Sequence, residues 1–391
     1  MKDEVQKKCI AVTCFDQNQP GFLDFSYRIQ SLAKQYQLTV LSQSEITQAE
    51  LLFDQIAYKA FPSGGGKLGW ISYLIKCAQF IRSGQFDIVV LLHSATAPIT
   101  LLIRSIPVCL YWNEHPTNLI HMPTKFAPIR RLITSALHQL IFFSASKANL
   151  LMPIGEEHQD ELYQHQIDPN KIKMIYMGVS DDFLLKDCVK KVELNEAVQL
   201  VYVGTVSKVR GRDVMLDAMA ILVKENIHVH LTIIGASEEE LVYCKQRKHE
   251  LEIEGYVSVF GRLPGSQIPS FLVKADLGIC LWEPNPWNEF NPPTKLFEYL
   301  VAGVPVLASN IRTHSRYIKD WHNGLIFDYD ETSLANAITE LCRHKDRIQT
   351  LKDNAVQSAE RYLWSGIEPI FLASVASIER TQQINYSVAG I

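Results

Sequence analysis

The stretch "NPPTKLFEYLVAGVPVLAS", Asn291 to Ser309, decides the fold. Asn291 suits a helix N-cap, and Pro292 suits the first helical position, where a missing N–H costs nothing. Leu296, Phe297, Leu300 and Val301 recur at helical spacing and form one apolar face. Gly303 suits the left-handed residue that stops a helix. "VPVLAS" is then apolar throughout, as a strand in a parallel sheet covered on both faces must be. Helix followed by buried strand is half of a βαβ unit. Lys295 and Glu298 lie on one face of this helix. They read either as a surface ion pair or as a cation and a carboxylate that meet a ligand.

The same alternation extends to both ends of the chain. The first half carries the apolar runs "CIAVTC", "LTVLS", "DIVVLLHS", "PVCLYWN", "NLLMPI" and "IKMIYMGV". Amphipathic stretches at 22–35, 68–83 and 128–146 separate most of them. The second half carries "QLVYVGTV", "VHLTIIG", "VSVFGRL", "LGICLW", "VPVLAS" and "GLIFD", with helical patterns at 212–225, 267–275 and 333–344. Two such series predict two doubly wound α/β domains. The apolar period lapses over Gly178–Glu196, which marks the boundary. The expected domains are 1–182, 183–366 and a last helical segment, 367–391, that packs back on the first domain. Ligands of open parallel sheets bind beyond the carboxyl ends of the strands, so chemistry is expected in a cleft faced by both domains.

Composition narrows the function. The chain has 391 residues, a net charge of −4 and no basic stripe, so nucleic acid is not an expected partner. Its eight cysteines include no CxxC pair and sit mostly in apolar runs, which predicts buried free thiols and no zinc site. The N-terminus lacks a signal-peptide core, and no apolar run reaches membrane-spanning length, so a cytoplasmic location is expected. Residues 125–143 add a basic and apolar helix. It reads either as a peripheral contact with the inner face of a membrane or as an ordinary helix packed on the sheet.

Three segments carry candidate chemistry. "SGGGKL", Ser63 to Leu68, fails the phosphate-loop pattern, with Phe61 and Leu68 in the wrong places, and reads as a glycine loop before a helix. "VYVGTVSKVRGRDVMLDAM" runs from a strand through Gly204 into a loop with Lys208, Arg210 and Arg212, then into a helix. Cations beside exposed N–H groups and a positive helix end suit a phosphate, and the same loop also reads as a solvated basic one. Arg262 and Leu263 lie at another strand end, which reads either as a main chain that holds a base or as an ordinary turn before a helix, with Pro264 early in it. The Asn291 helix adds a dipole that favours an anion at its start. Glu298 would stand about 10 Å along its axis, roughly a nucleoside's reach from a diphosphate, and a carboxylate can accept both hydrogen bonds of a ribose diol.

These motifs, in this order, resemble family 4 glycosyltransferases, which have the GT-B fold and belong to the glycosyl transferases group 1. "YVGTVSKVRG" resembles the phosphate loop. "ADLGICLWEPN" with "NPPTKLFEYLVAGVPVLAS" resembles the signature helix and strand, and "NGLIFDYDETSLANAITEL" the closing strand and helix. The resemblance implies a retaining, metal-independent hexosyltransferase of polysaccharide biosynthesis. Its donor would be a nucleotide-diphosphate sugar, with no further cofactor, and its acceptor a glycan, a lipid-linked sugar or a small molecule. It implies donor contacts from Gly21, Gly204, Thr205, Lys208, Arg210, Arg262, Leu263, Asn291, Thr294, Lys295 and Glu298. Catalytic roles fall to Arg210 and Lys295 and, in "LYWNEHPTN", to Glu114 or His115. His93 reads as structural. The chain departs from the family in two places. Thr205 replaces a phosphate-binding Arg, and Phe290 occupies the position of the first signature Glu, with Glu289 one residue early. Asn291, Thr294 and Lys295 are the expected substitutes. A nucleotide-sugar epimerase of the same fold and a non-catalytic nucleotide-sugar binder are the alternatives.

Overall fold

The computed structural model describes residues 6–15, 17, 22–116, 127–185, 196–286 and 288–388. The chain divides into two compact units, one of residues 1–177 and 366–391, the other of residues 178–365. The divides fall at Met177/Gly178 and Ser365/Gly366, where the sequence suggested 182/183 and 366/367.

The first unit holds strands β1 (Lys8–Val12), β2 (Gln37–Ser42), β3 (Ile56–Ala60), β4 (Ile88–Leu91), β5 (Val108–Trp112) and β6 (Leu150–Pro153). They lie in the order β3-β2-β1-β4-β5-β6, all parallel. Helices α1 (Phe22–Gln35), α2 (Gly66–Ser83), α3 (Ile99–Leu102), α4 (Ala127–Ala145) and α5 (Glu156–Gln164) connect them. The second unit repeats the plan with β7 (Val198–Val203), β8 (Val229–Ala236), β9 (Val257–Gly261), β10 (Leu277–Cys280), β11 (Val306–Ser309) and β12 (Gly324–Phe327), in the order β12-β11-β10-β7-β8-β9. Its helices are α6 (Arg212–Lys224), α7 (Glu238–Glu250), α8 (Ile268–Leu272), α9 (Thr294–Val301), α10 (Arg312–Ser315), α11 (Glu331–Arg343) and α12 (Ile348–Ala359). The last helix, α13 (Trp364–Val388), belongs to the first unit from Gly366 onward. Its Glu368 accepts from Ser31 and Lys34 of α1, and its Glu379 pairs with Lys7 beside β1.

Both sheets reverse their winding at one place, between β1 and β4 and between β7 and β10. The strand-end loops diverge at such a switch point and leave a crevice for a ligand. The first sheet's crevice is bordered by the segment after β4, which begins with Leu92 and His93. The second sheet's crevice is bordered by the loops after β7 and β10.

Three readings from the sequence need correction. "IKMIYMGV" is not a strand; Ile172 and Val179 form only isolated bridges, to Leu151 and Leu363. A real strand, β3, went unrecognised because it lies at the sheet edge, where only Ile56 of its five residues is buried. The helix that opened the sequence analysis begins at Thr294, with Pro293 extended at its N-cap, two residues later than an Asn291 N-cap suggested. Two consecutive prolines cannot both occupy the helix start, because a residue before proline is pushed out of the helical region. Its far end follows the sequence: Gly303 has φ +72°, its N–H meets the Leu300 carbonyl at 3.0 Å, and Val304 N–H meets Tyr299 at 2.8 Å. This is the Schellman pattern that a C-terminal glycine permits.

Leu296, Phe297, Leu300 and Val301 of α9 are buried as expected, and so is Tyr299. The Tyr299 ring lies on Gly278 of β10, where a Cβ would stand 2.5 Å from the ring, and its hydroxyl accepts the Val203 N–H at 2.7 Å. Gly278→Ala should therefore destabilise the chain by about 1–3 kcal/mol, the range for overpacking a core. Urea unfolding checks this; an unchanged midpoint would show that the ring moves aside freely.

Candidate functional site

The site is built at the switch point of the second sheet. Strand β7 ends at Val203, and Gly204 turns the chain with φ +130°. Tyr202 stabilises the turn by donating its hydroxyl to the Thr205 carbonyl at 2.8 Å. Lys208–Arg210 form one short 3-10 turn, and Gly211, at φ +77°, leads into α6. A side chain at Gly211 would stand 2.0 Å from Leu281, so the loop after β7 lies directly on the end of β10.

Lys295, in the first turn of α9, reaches over the Gly204 turn. A Cβ on Gly204 would stand 2.9 Å from its ammonium nitrogen. That nitrogen lies 3.7 Å from the centroid of the Tyr202 ring. Arg210, half-buried, lays its guanidinium over the Trp282 ring at 4.5 Å. Burial lowers its pKa, opposed by Tyr202 and Cys280. Both cations thus rest on aromatic faces. A ring face attracts a cation through its quadrupole but does not cancel its charge as a carboxylate would. The two rings thus hold both cations beside the Gly204 turn without cancelling their charge.

Glu298 lies one turn further along α9 and is half-buried. Burial raises its pKa to about 7, against the lowering effect of Lys295. Among the described residues, Lys295 and Glu298 form no ion pair, so the surface-pair reading does not hold. With the helix starting at Thr294, Glu298 stands about 6 Å along the axis from its first residue, less than the sequence suggested.

Beneath the cations lies a buried polar relay. Ser309, ending β11, accepts the Trp282 N–H at 3.0 Å and lies 2.9 Å from the Trp282 carbonyl as its donor. His314 places Nδ1 3.0 Å from the Ser309 carbonyl and Nε2 3.5 Å from the Cys280 sulfur. Burial, helped by the nearby Lys295 charge and opposed by the Ser309 carbonyl, pushes His314 down to about 3. Burial pushes the Cys280 thiol up to about 12. Both are neutral near pH 7, so no buried charge competes with an anion above them.

The remaining candidates fall in different places. Asn291 is buried, Thr294 is exposed, and both stand at the start of α9. Lys208 and Arg262 are exposed, and Leu263 is half-buried just beyond β9. Glu289, one residue before Phe290, accepts the Arg312 backbone N–H on its Oε2 at 2.9 Å. Gly21 lies outside the described residues.

In the first unit, Glu114 and His115 separate. His115 is buried, with Nε2 2.6 Å from Glu161 Oε1 on α5. Glu114 meets His93 instead, Oε2 to Nε2 at 3.0 Å. Nδ1 of His93 accepts the Ala95 N–H, so Nε2 carries the proton toward Glu114. This pair stands at the ends of β4 and β5, beside the switch point of the first sheet. The sequence read His93 as structural, and its partner Glu114 follows the neighbouring strand; Trp282 was not singled out, because a lone aromatic after a strand signals only burial.

Among known proteins, residues 187–358 match the family described as Glycosyl transferases group 1. The second unit is similar to that family over this segment. The chain is 27% identical over 180 residues to an uncharacterized 41.2 kDa protein in the cps region of Klebsiella pneumoniae, covering 45% of this chain and 46% of that protein. It spans about half the length of the curated relatives it matches. Among solved structures, Anabaena Alr3699/HepE in complex with UDP superimposes with a TM-score of 0.72 at 16% identity, covering 95% of this chain and all of that one. WaaG, a glycosyltransferase involved in lipopolysaccharide biosynthesis, superimposes with a TM-score of 0.69 at 15% identity, covering 93% and 98%. These likenesses show the GT-B fold across both units. The matched segment contains Gly204, Arg210, Trp282, Lys295 and Glu298.

Proposed function

We propose that the chain is a retaining glycosyltransferase that takes a sugar from a nucleotide-diphosphate sugar. The observation that carries this reading is the pair of aromatic-held cations, Arg210 and Lys295, at the Gly204 turn. When the bond between sugar and diphosphate breaks, charge develops on the departing phosphate. Preplaced cations stabilise that charge without reorganising. They are the groups that would take a metal's role, and activity is expected to survive EDTA. Glu298 holds the ribose, the main chain near Arg262 and Leu263 holds the base, and Asn291, Thr294 and Lys295 contact the sugar. Because HepE has been crystallised with UDP and with UDP-glucose, a uridine donor is the first to test.

For the acceptor we favour a growing glycan or a lipid-linked sugar, given the cps-region relative and the lipopolysaccharide role printed for WaaG. In the first unit, the His93–Glu114 pair is the better candidate for proton transfer. His115 is fixed against Glu161. The decisive experiment offers UDP-, GDP- and ADP-sugars with and without acceptor glycans. A transferase releases nucleoside diphosphate in proportion to acceptor. An epimerase converts the sugar without acceptor, and a binder is stabilised by ligand without turnover.

Helix α4 is the candidate for membrane contact. Leu132, Leu140 and Phe143 are exposed on it, with Lys147 over the Phe143 ring at 4.6 Å. Among the described residues no helix is long and apolar enough to cross a membrane. Leu132→Ser with Phe143→Ser should abolish co-sedimentation with anionic liposomes at low salt and leave donor binding unchanged. Wild-type protein that never sediments with the vesicles would favour a water-soluble acceptor.

A further inference from the structure

The loop after β7 and the end of β10 meet at two adjacent positions. Leu281 fills the space that a side chain on Gly211 would need. Its neighbour Trp282 lies under the Arg210 guanidinium at 4.5 Å. Trp282 is itself fixed in an unusual way. One Ser309 hydroxyl engages both its backbone N–H and its carbonyl, at 3.0 and 2.9 Å. That hydroxyl is also 3.2 Å from His314 Nδ1, while His314 Nε2 faces Cys280. Ser309 and His314 are fully buried and Trp282 nearly so. Arginine has a long stem whose rotamers must be frozen for its charge to be preorganised, and that freezing opposes binding. An aromatic platform that is itself pinned removes much of this cost before ligand arrives.

We infer that Trp282 is a positioning residue, held by Ser309 and His314, that aims Arg210 at the diphosphate of the donor. The inference rests on the donor reading above and adds a specific prediction to it. Removing the indole leaves the charge of Arg210 in place but takes away the ring face on which its guanidinium rests. The loss therefore falls on the phosphates and spares the nucleoside, which Glu298 and the base contacts hold.

Titration calorimetry on the full chain tests this with UDP, GDP and ADP, each beside its nucleoside. For whichever diphosphate binds wild type, Trp282→Ala should weaken it about tenfold, while the nucleoside changes less than about twofold. Trp282→Phe, which restores a ring face, should recover to within about threefold of wild type. Ser309→Ala keeps the indole and removes both of its backbone anchors. It should weaken the diphosphate several-fold and spare the nucleoside, and it serves if Trp282→Ala fails to fold. Equal losses for diphosphate and nucleoside, or no loss in either variant, would overturn the inference and leave the donor reading standing. A wild type that binds none of the three diphosphates overturns both.

Discussion

Replacing Lys295 with alanine is expected to lower donor turnover by about 10²–10³-fold, the loss seen when one preorganised group that stabilises developing negative charge is removed. The reason is placement. The ammonium lies over the Gly204 turn and against the Tyr202 ring, and no carboxylate pairs with it among the described residues. The variant should fold normally, because among the described residues no hydrogen bond or ion pair of the core depends on this nitrogen. It also removes the cation that now opposes the raised pKa of Glu298, so the Glu298 pKa should rise further. Gly204→Ala provides the complementary test. Its Cβ would stand 2.9 Å from the ammonium, on a backbone with φ +130° that a side chain rarely adopts. It should displace Lys295 and reproduce much of the same loss. Steady-state turnover alongside a melting curve decides the matter. A Lys295→Ala enzyme that keeps wild-type turnover would remove this residue from the mechanism.

Glu298→Ala should weaken the donor by about 1.5–3 kcal/mol, the worth of hydrogen bonds to a charged group. The pH dependence makes the assignment sharper. In the ligand-free protein Glu298 titrates near 7, because burial penalises its charged form. A ribose diol donates two hydrogen bonds, and only the carboxylate accepts both. Binding therefore favours the ionised form. Affinity should rise as pH rises through about 7 and level off above it, with a proton released on binding near neutrality. Glu298→Gln should flatten that dependence. Calorimetry in buffers of different ionisation enthalpy measures the released proton directly, and an affinity that is flat from pH 6 to pH 8 in wild type would refute the ribose role. A 2′,3′-dideoxy nucleotide that competes as well as the natural one would refute it independently. The effect on stability has the opposite sign. The folded state holds the proton more tightly than an ordinary glutamate near 4.5 does. The stability it adds is fully present below that value and is lost as pH rises through about 7.

Much of the plan was written along the chain. Apolar runs separated by helical periods specified two parallel sheets, because each strand and each helix face must be buried on a neighbour of known type. Gly303 stopped α9 for a local reason, its φ of +72°. The order of motifs singled out Gly204, Arg210, Lys295 and Glu298 as candidates, since a strand, a glycine turn and a helix start follow one another in sequence. Strand β3 was less legible. An edge strand buries only part of one face, and its composition then carries little apolar signal. The start of α9 was misplaced because capping preferences are weak beside the steric conflict of two adjacent prolines.

Contacts between distant segments decided the rest. Glu114 and His115 are neighbours in sequence, yet one turns to His93 and the other to Glu161, because successive residues leaving a strand point to opposite sides. The raised pKa of Glu298 comes from burial that no local pattern encodes. Arg210 and Trp282 are 72 positions apart in the numbering, and Ser309 a further 27. Only the winding of the second sheet, which sets β10 between β7 and β11, brings them together. The sequence by itself determined which charges the site would have; the tertiary structure determined that each cation would rest on an aromatic ring, because that depends on which strands are neighbours and not on which residues are.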